Sequence, residues 1–313
     1  MTGSSPSSLP RTVILTGPTA VGKSGFAFEF ARDHELEIIN ADSVCFYQGF
    51  NIGSAKPTPE ELAQVPHHLI NNANPNDNYH AGQFLKDCTL ILSKIHARGK
   101  RAMIVGGSGF YLKSLRLGLW EAPATSPEFR ETLEPKTNAE LFEKLKNVDS
   151  AHANKIGVND RYRIIRALEI IELGGKRPSD LEGAMPTETN PNFELWVVDR
   201  DKDELSARIR ARIDQMLAAG FLDEVKELRE KYPDSKTLCA VGYQQVIDYF
   251  DGVKPDGRQA PNGLPGLKDE IELAHRQLAK QQRTWIKNLK ANETFVLDND
   301  LSVLKEKLMK FYQ

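Results

Sequence analysis

Apolar positions in the first hundred residues gather in short unbroken runs separated by stretches of helical periodicity. Residues 12–16 (TVILT), 36–39 (LEII) and 101–105 (RAMIV) read as buried strands, and residues 24–32 and 83–97 repeat apolar positions at helical spacing. Apolar strands alternating with helices predict a parallel sheet covered on both faces, hence an α/β fold. The pattern changes over residues 117–193, which are polar, helical and bounded by the proline-containing segments EAPATSPEF and AMPTETNPNF. A helical insertion subdomain is expected there. Strand character returns at residues 194–198 (ELWVV), so the core is predicted to be discontinuous, 11–116 with 194–313. Amphipathic helices follow at 203–220, 222–231 and 268–290, the last preceded by a Pro/Gly-rich loop at 251–266. Residues 1–10, rich in Ser and Pro with no apolar centre, read as a disordered lead-in and not as a secretory signal.

A chain of 313 residues has room for such a core and an insertion. No run approaches the ~18 apolar residues of a membrane span. Cys45, Cys88 and Cys239 lie far apart with no CxxC spacing, which suggests neither a disulfide framework nor a metal site. A monomer in a reducing cytoplasm is the expectation. The net charge of −2 argues against a general nucleic-acid binder, but it averages over local excesses. Residues 274–290 carry five basic side chains and no acidic one, and residues 155–177 carry six basic and three acidic.

The strand at 12–16 runs into Gly17-Pro18-Thr19-Ala20-Val21-Gly22-Lys23-Ser24, a G-x-x-x-x-G-K-S loop that opens a helix. Small residues let backbone N–H groups close round phosphate oxygens, and the helix N-terminus adds partial positive charge. Lys23 can reach the terminal phosphates and Ser24 can ligate Mg²⁺. A P-loop NTPase-like parallel core is therefore expected. The loop alone does not say what happens to the phosphates. A kinase or ATPase supplies a second carboxylate at a strand end. Here RAMIV ends in glycines, while LWVVD ends at Asp199, which keeps the ATP-using alternative open.

Taken together, GPTAVGKS at 17–24, ADSVCFYQGFNIGSAKP at 41–57, PHHLI at 66–70, VGGSGFYLKSL at 105–115, NDRYRIIRALEI at 159–170, AVGYQQ at 240–245 and LAKQQRTW at 278–285 resemble the bacterial tRNA dimethylallyltransferases. The resemblance covers most of the chain in the family's order. It implies transfer of a dimethylallyl group from dimethylallyl diphosphate to N6 of adenosine 37, next to the anticodon, in tRNAs reading codons that begin with U. The leaving group is then diphosphate, which suits a phosphate loop with Mg²⁺ on Ser24. The exocyclic amine needs a base, and Asp42, at the carboxyl end of the second strand, is placed for it; taken alone, an Asx turn or helix cap explains an Asp there equally well, and the ADSxxxYxG match favours catalysis. Ser108 could orient the amine with its hydroxyl where the family usually has Thr; a helix-capping serine is the competing explanation. Arg212, four residues after Arg208 on one helix, is implied to contact the diphosphate.

At 100° per residue Arg276, Lys280, Arg283, Lys287 and Lys290 fall within about 80° of arc, one basic stripe suited to an RNA backbone. Trp285 and Leu289 lie off the stripe and are expected to pack inward. Arg163 and Arg166 suggest a second basic surface, which would suit an anticodon stem-loop gripped from two sides. By resemblance the tRNA contacts comprise Asp42, Ser43, Val44, Cys45 and Ser108; Arg130, Arg163 and Arg166; Gly242, Tyr243 and Gln244; and Arg276, Lys280, Gln282, Arg283, Trp285 and Lys287. Lys280-Gln281-Gln282 departs from the family's Lys-Arg-Gln and loses one charge. His67 and His68, adjacent and without further ligands nearby, read as structural. The alternatives are an adenylate isopentenyltransferase acting on free AMP, ADP or ATP, a P-loop kinase or ATPase, and a non-catalytic RNA-binding protein.

Overall fold

The computed structural model describes residues 9–120, 122–184 and 188–313. Most of the lead-in expected at 1–10 lies outside them, as does part of the proline-containing segment that closes the insertion. The strands are β1 (Thr12–Thr16), β2 (Glu37–Asn40), β3 (His67–His68), β4 (Ala102–Val105), β5 (Phe193–Asp199) and β6 (Glu293–Val296), in the order β3-β2-β4-β1-β5-β6. Every pairing is parallel, with Ile14 opposite Ile104 on one side and Leu195 on the other. Each residue of β1, β2 and β4 is buried, which is why these strands read as continuous apolar runs. Helices Lys23–Asp33 and Ala81–Ala97 pack Phe26, Phe30, Phe84 and Leu92 into the same core. This is the predicted P-loop NTPase-like α/β architecture.

The strands β3 and β6 escape local reading. β3 is two residues long, too short for any periodicity, and its histidines are structural: His68 Nε2 lies 2.6 Å from Glu37 Oε2, and His67 Nδ1 lies 2.8 Å from the Val65 carbonyl. β6 exists through its register with β5, Trp196 opposite Glu293, and is followed by helix Leu297–Tyr312. The helix expected over 268–290 instead runs Gly263–Lys287. Its start falls inside the Pro/Gly-rich stretch because Pro265 occupies the first turn, where a missing N–H costs no hydrogen bond. Its end comes early because Lys290 adopts a left-handed conformation, φ 51°, and its carbonyl accepts from Arg116 Nη2 at 2.8 Å.

The chain divides into two compact units, one of residues up to Arg116 with Asn190–Gln313, the other Leu117–Thr189. The second has its own core of Leu133, Leu141, Leu145, Ala153, Ile164, Ala167 and Leu168.

Candidate functional site

In a parallel sheet the carboxyl ends of the strands share one edge, and here neighbouring strands each deliver chemistry to it. β2 leads through Ala41 to Asp42, β4 runs into Gly106-Gly107-Ser108, β1 runs into the phosphate loop, and β5 ends at Asp199. The first three border a cleft of about 1010 Å³ lined further by Arg208, Arg212, His275 and Trp285.

The phosphate loop is braced from outside. Gly22 sits at φ 99°, a conformation that favours glycine, and ends the loop where helix Lys23–Asp33 begins. Arg208 Nε donates to the Ala20 carbonyl at 3.0 Å, and Arg200 Nε to the Val21 carbonyl at 2.8 Å. Arg212 donates to the Gly53 carbonyl at 3.2 Å, while its buried Nε has no hydrogen-bond partner among the described residues. Burial lowers the Lys23 pKa, and Arg212 lowers it further against the opposing pull of Asp42. Burial also lowers the Arg212 pKa. Two cations desolvated side by side, one with an unmatched N–H, make a site stabilised by an arriving anion.

Asp42 and Ser108 meet through the backbone between them. The Ser43 amide donates to Ser108 Oγ at 2.9 Å, so the serine hydroxyl does not serve as a simple helix cap. Asp42 Oδ1 accepts from the Val44 amide at 3.0 Å, which is the Asx turn that its position allowed. Among the described residues none donates to its other oxygen, Oδ2, and Asp42 lines the cleft. The turn and a free basic oxygen coexist in one side chain.

Asp199 is engaged. Arg283 Nη2 donates to its Oδ1 at 2.7 Å and Nε to its Oδ2 at 3.0 Å, so both carboxylate oxygens of the ATP-type metal ligand are occupied. Arg283 therefore leaves the solvent-facing stripe, and Arg276 pairs with Glu272, an acid just upstream of the purely basic window. Lys280 and Lys287 remain exposed and form no ion pair among the described residues. Lys290 lies beyond the helix end. Trp285 corrects the expected inward packing: it is 41% exposed and rests on Gly109 beside the cleft, whereas Leu289 is buried as expected. Gln282 reaches inward to the two loops, its Oε1 2.7 Å from the Thr19 amide.

Within the second unit, Arg130 and Arg166 both bind Glu169, whose side chain is fully buried. The second basic surface is thus smaller than its charge count suggests, with Arg163 exposed beside Asp160. In the AVGYQQ segment, Tyr243 corrects the expected RNA contact of its side chain, being 1% exposed and packed on Phe50 and Phe221. Gly242 is also buried, and Gln244 donates to Asp248 at 2.7 Å. Cys45 is buried, with its thiol pushed up to about 12 by desolvation and by Asp42, while Ser43 and Val44 are half-buried at the cleft.

Sequence reasoning missed Glu224. One of its oxygens accepts from the amides of Asn51 and Ile52 at 3.0 and 2.7 Å, the other from the Gly53 amide and the Tyr243 hydroxyl at 3.1 and 2.8 Å. It fixes the loop whose Gly53 carbonyl holds Arg212. No local signal marks it, because on its own helix it is one acid among several. Arg200 carried a weak signal, its place directly after a predicted strand.

A family model described as IPP transferase matches residues 45–289. The tRNA dimethylallyltransferase of Paraburkholderia xenovorans is 38% identical, covering 95% of this chain and 94% of its own. That of Chromobacterium violaceum is 39% identical, covering 91% and 88%. The crystal structure of the full-length tRNA isopentenylpyrophosphate transferase of Bacillus halodurans superposes with a TM-score of 0.67 at 31% identity, covering 96% of each chain. With this extent of likeness, the chain belongs to the IPP transferase family, and its curated relatives carry the name tRNA dimethylallyltransferase.

Proposed function

We propose that this protein transfers the dimethylallyl group of dimethylallyl diphosphate to N6 of adenosine 37 in tRNAs that read codons beginning with U. The observation that carries the proposal is one cleft in which an anion site of Lys23, Arg212 and the phosphate loop faces Asp42 with its free Oδ2, while Asp199 is held by Arg283. A tRNA acceptor accords with the names of the relatives and with the exposed Lys280 and Lys287, and a cytoplasmic site of work accords with such an acceptor.

The N6 lone pair attacks C1 of the allylic group as the C1–O bond breaks, and the diphosphate leaves with the bonding electrons. The N6 proton passes to Asp42 Oδ2, and Ser108 Oγ, which already accepts the Ser43 amide, can donate its own proton or accept at the amine. Lys23, Arg212 and the loop amides receive the charge that develops on the departing oxygens. The adenine must leave its stack to enter the cleft.

Among the described residues no cluster of three or more His, Cys, Asp or Glu side chains could hold a metal. Ser24, which lines the cleft at the start of the loop's helix, would hold Mg²⁺ together with the diphosphate. Bound there, it would neutralise charge on the leaving diphosphate.

The test combines the protein, Mg²⁺, dimethylallyl diphosphate and unmodified tRNA, with nucleosides analysed by mass spectrometry. Dimethylallyladenosine from tRNA and none from AMP is expected. Product from AMP alone, or ATP hydrolysis without prenyl transfer, would reject the proposal. Replacing Lys280 and Lys287 by alanine should lower the slope of log affinity for tRNA against log salt by about 1 to 2. An unchanged slope in a binding titration would move the RNA away from this helix.

A further inference from the structure

The phosphate loop and the loop after β4 are joined by a single side-chain amide. Gln282 Oε1 accepts from the Thr19 amide at 2.7 Å, and its Nε2 donates to the Gly107 carbonyl at 3.2 Å. Glycine is required at 107 for the bridge to form, because a Cβ there would lie 2.6 Å from Gln282 Nε2. The adjoining helical residues fasten the same two loops. Arg283 Nη2 donates to the Arg200 carbonyl at 2.9 Å, and Arg200 Nε in turn to Val21 of the phosphate loop at 2.8 Å. Trp285 lies against Gly109, where a Cβ would meet it at 3.2 Å. One turn of helix Gly263–Lys287 therefore touches both the loop that would hold the leaving diphosphate and the loop whose Ser108 would orient the amine.

Displacement at an allylic carbon needs the attacking nitrogen and the departing oxygen on opposite sides of C1 at fixed separation. A small error in that separation lowers the rate and leaves the affinity of either partner nearly intact. Gln282 is neutral and makes its contacts to backbone, so it adds little to the attraction for diphosphate or RNA. We propose that Gln282 is a positioning residue, whose amide sets the distance between donor and acceptor by tying Thr19 to Gly107. This rests on the assignment of the cleft to prenyl transfer, and it differs from the contact with tRNA that family resemblance alone implied for this side chain.

The experiment is single-turnover transfer to tRNA by the full-length protein, with the KM for dimethylallyl diphosphate and the Kd for tRNA measured beside it. Gln282→Ala should lower the transfer rate about 100-fold and change both affinities less than about threefold. Gln282→Glu keeps an acceptor for the Thr19 amide but has no donor for the Gly107 carbonyl, and should fall as far. Gly107→Ala presses a methyl against the amide and should also cost about 100-fold alone. In the Gln282→Ala background the methyl has room, so the same change should cost less than about threefold. A Gln282→Ala protein with normal rate but a tenfold weaker Kd for tRNA would make Gln282 an RNA contact and overturn the proposal, as would additive losses in the double variant. Should Gln282→Ala fail to fold, Gly107→Ala answers alone, by whether rate or affinity is lost. Absence of prenyl transfer by the unaltered protein would instead reject the assignment of function.

Discussion

Replacing Asp42 by asparagine lowers turnover about a hundred- to ten-thousand-fold, the range a positioned base contributes, with the KM for tRNA held within about threefold. Asparagine is the informative change because it keeps an Oδ1 acceptor for the Val44 amide, now 3.0 Å from the carboxylate, and so preserves the turn. It removes the basic oxygen that no described residue occupies. It also removes the negative charge whose attraction raises the Lys23 pKa. That charge faces the place where a diphosphate would lie, so the donor should bind the variant as tightly as the unaltered protein or more tightly. Asp42→Ala loses the turn as well, and should show a weaker affinity for tRNA on top of the same loss in rate. The measurement is single-turnover formation of dimethylallyladenosine by mass spectrometry, with both substrates saturating. Normal turnover in Asp42→Asn would leave the carboxylate a turn residue and nothing more.

Asp42 and Ser108 could be paired from the sequence because each follows an apolar strand, and β2 and β4 are neighbours in the sheet. Parallel strands present their carboxyl ends together, so local position was enough. The phosphate loop was legible for a similar reason, its conformation being dictated by its own glycines and the elements on either side. The charges were another matter. Arg283 looked like one member of a stripe, but its partner Asp199 is remote in sequence, and no count within a window can register a partner brought in by the fold. Arg130 and Arg166 hid the same effect, since Glu169 was counted as one of three acids when it alone neutralises part of both. Trp285 was misread because its angle on the helix faces away from the basic stripe, and that side is the mouth of the cleft, not the core. β6 and Glu224 left almost no trace, since a four-residue strand and one carboxylate acquire meaning only from what they pair with.

Glu169 carries the second large prediction. Its burial would raise its pKa, but hydrogen bonds from Arg130, Arg166 and the Ser126 amide outweigh that and hold it at about 2, against 4.5 for an ordinary glutamate. A carboxylate with a folded pKa below its unfolded value stabilises the fold fully above about pH 4.5 and ceases to do so as the pH falls through about 2. With each guanidinium about a quarter exposed and partly screened, the contribution is roughly 2 kcal/mol. Glu169→Ala costs more, about 3 kcal/mol, because it leaves two arginines and the Ser126 amide without their acceptor. Hydrogen exchange across helix Arg161–Gly174 reads this directly, since that helix carries Glu169 and Arg166 and packs the core of the second unit. Protection there should fall in Glu169→Ala at neutral pH. In the unaltered protein it should decline between pH 4.5 and 2, while Glu169→Gln shows a lower, flatter profile over the same interval. The exchange of β1 and β4, in the other unit, serves as the control. If protection in Glu169→Ala is unchanged, the two arginines are held by the rest of the unit, and the buried carboxylate contributes nothing to its stability.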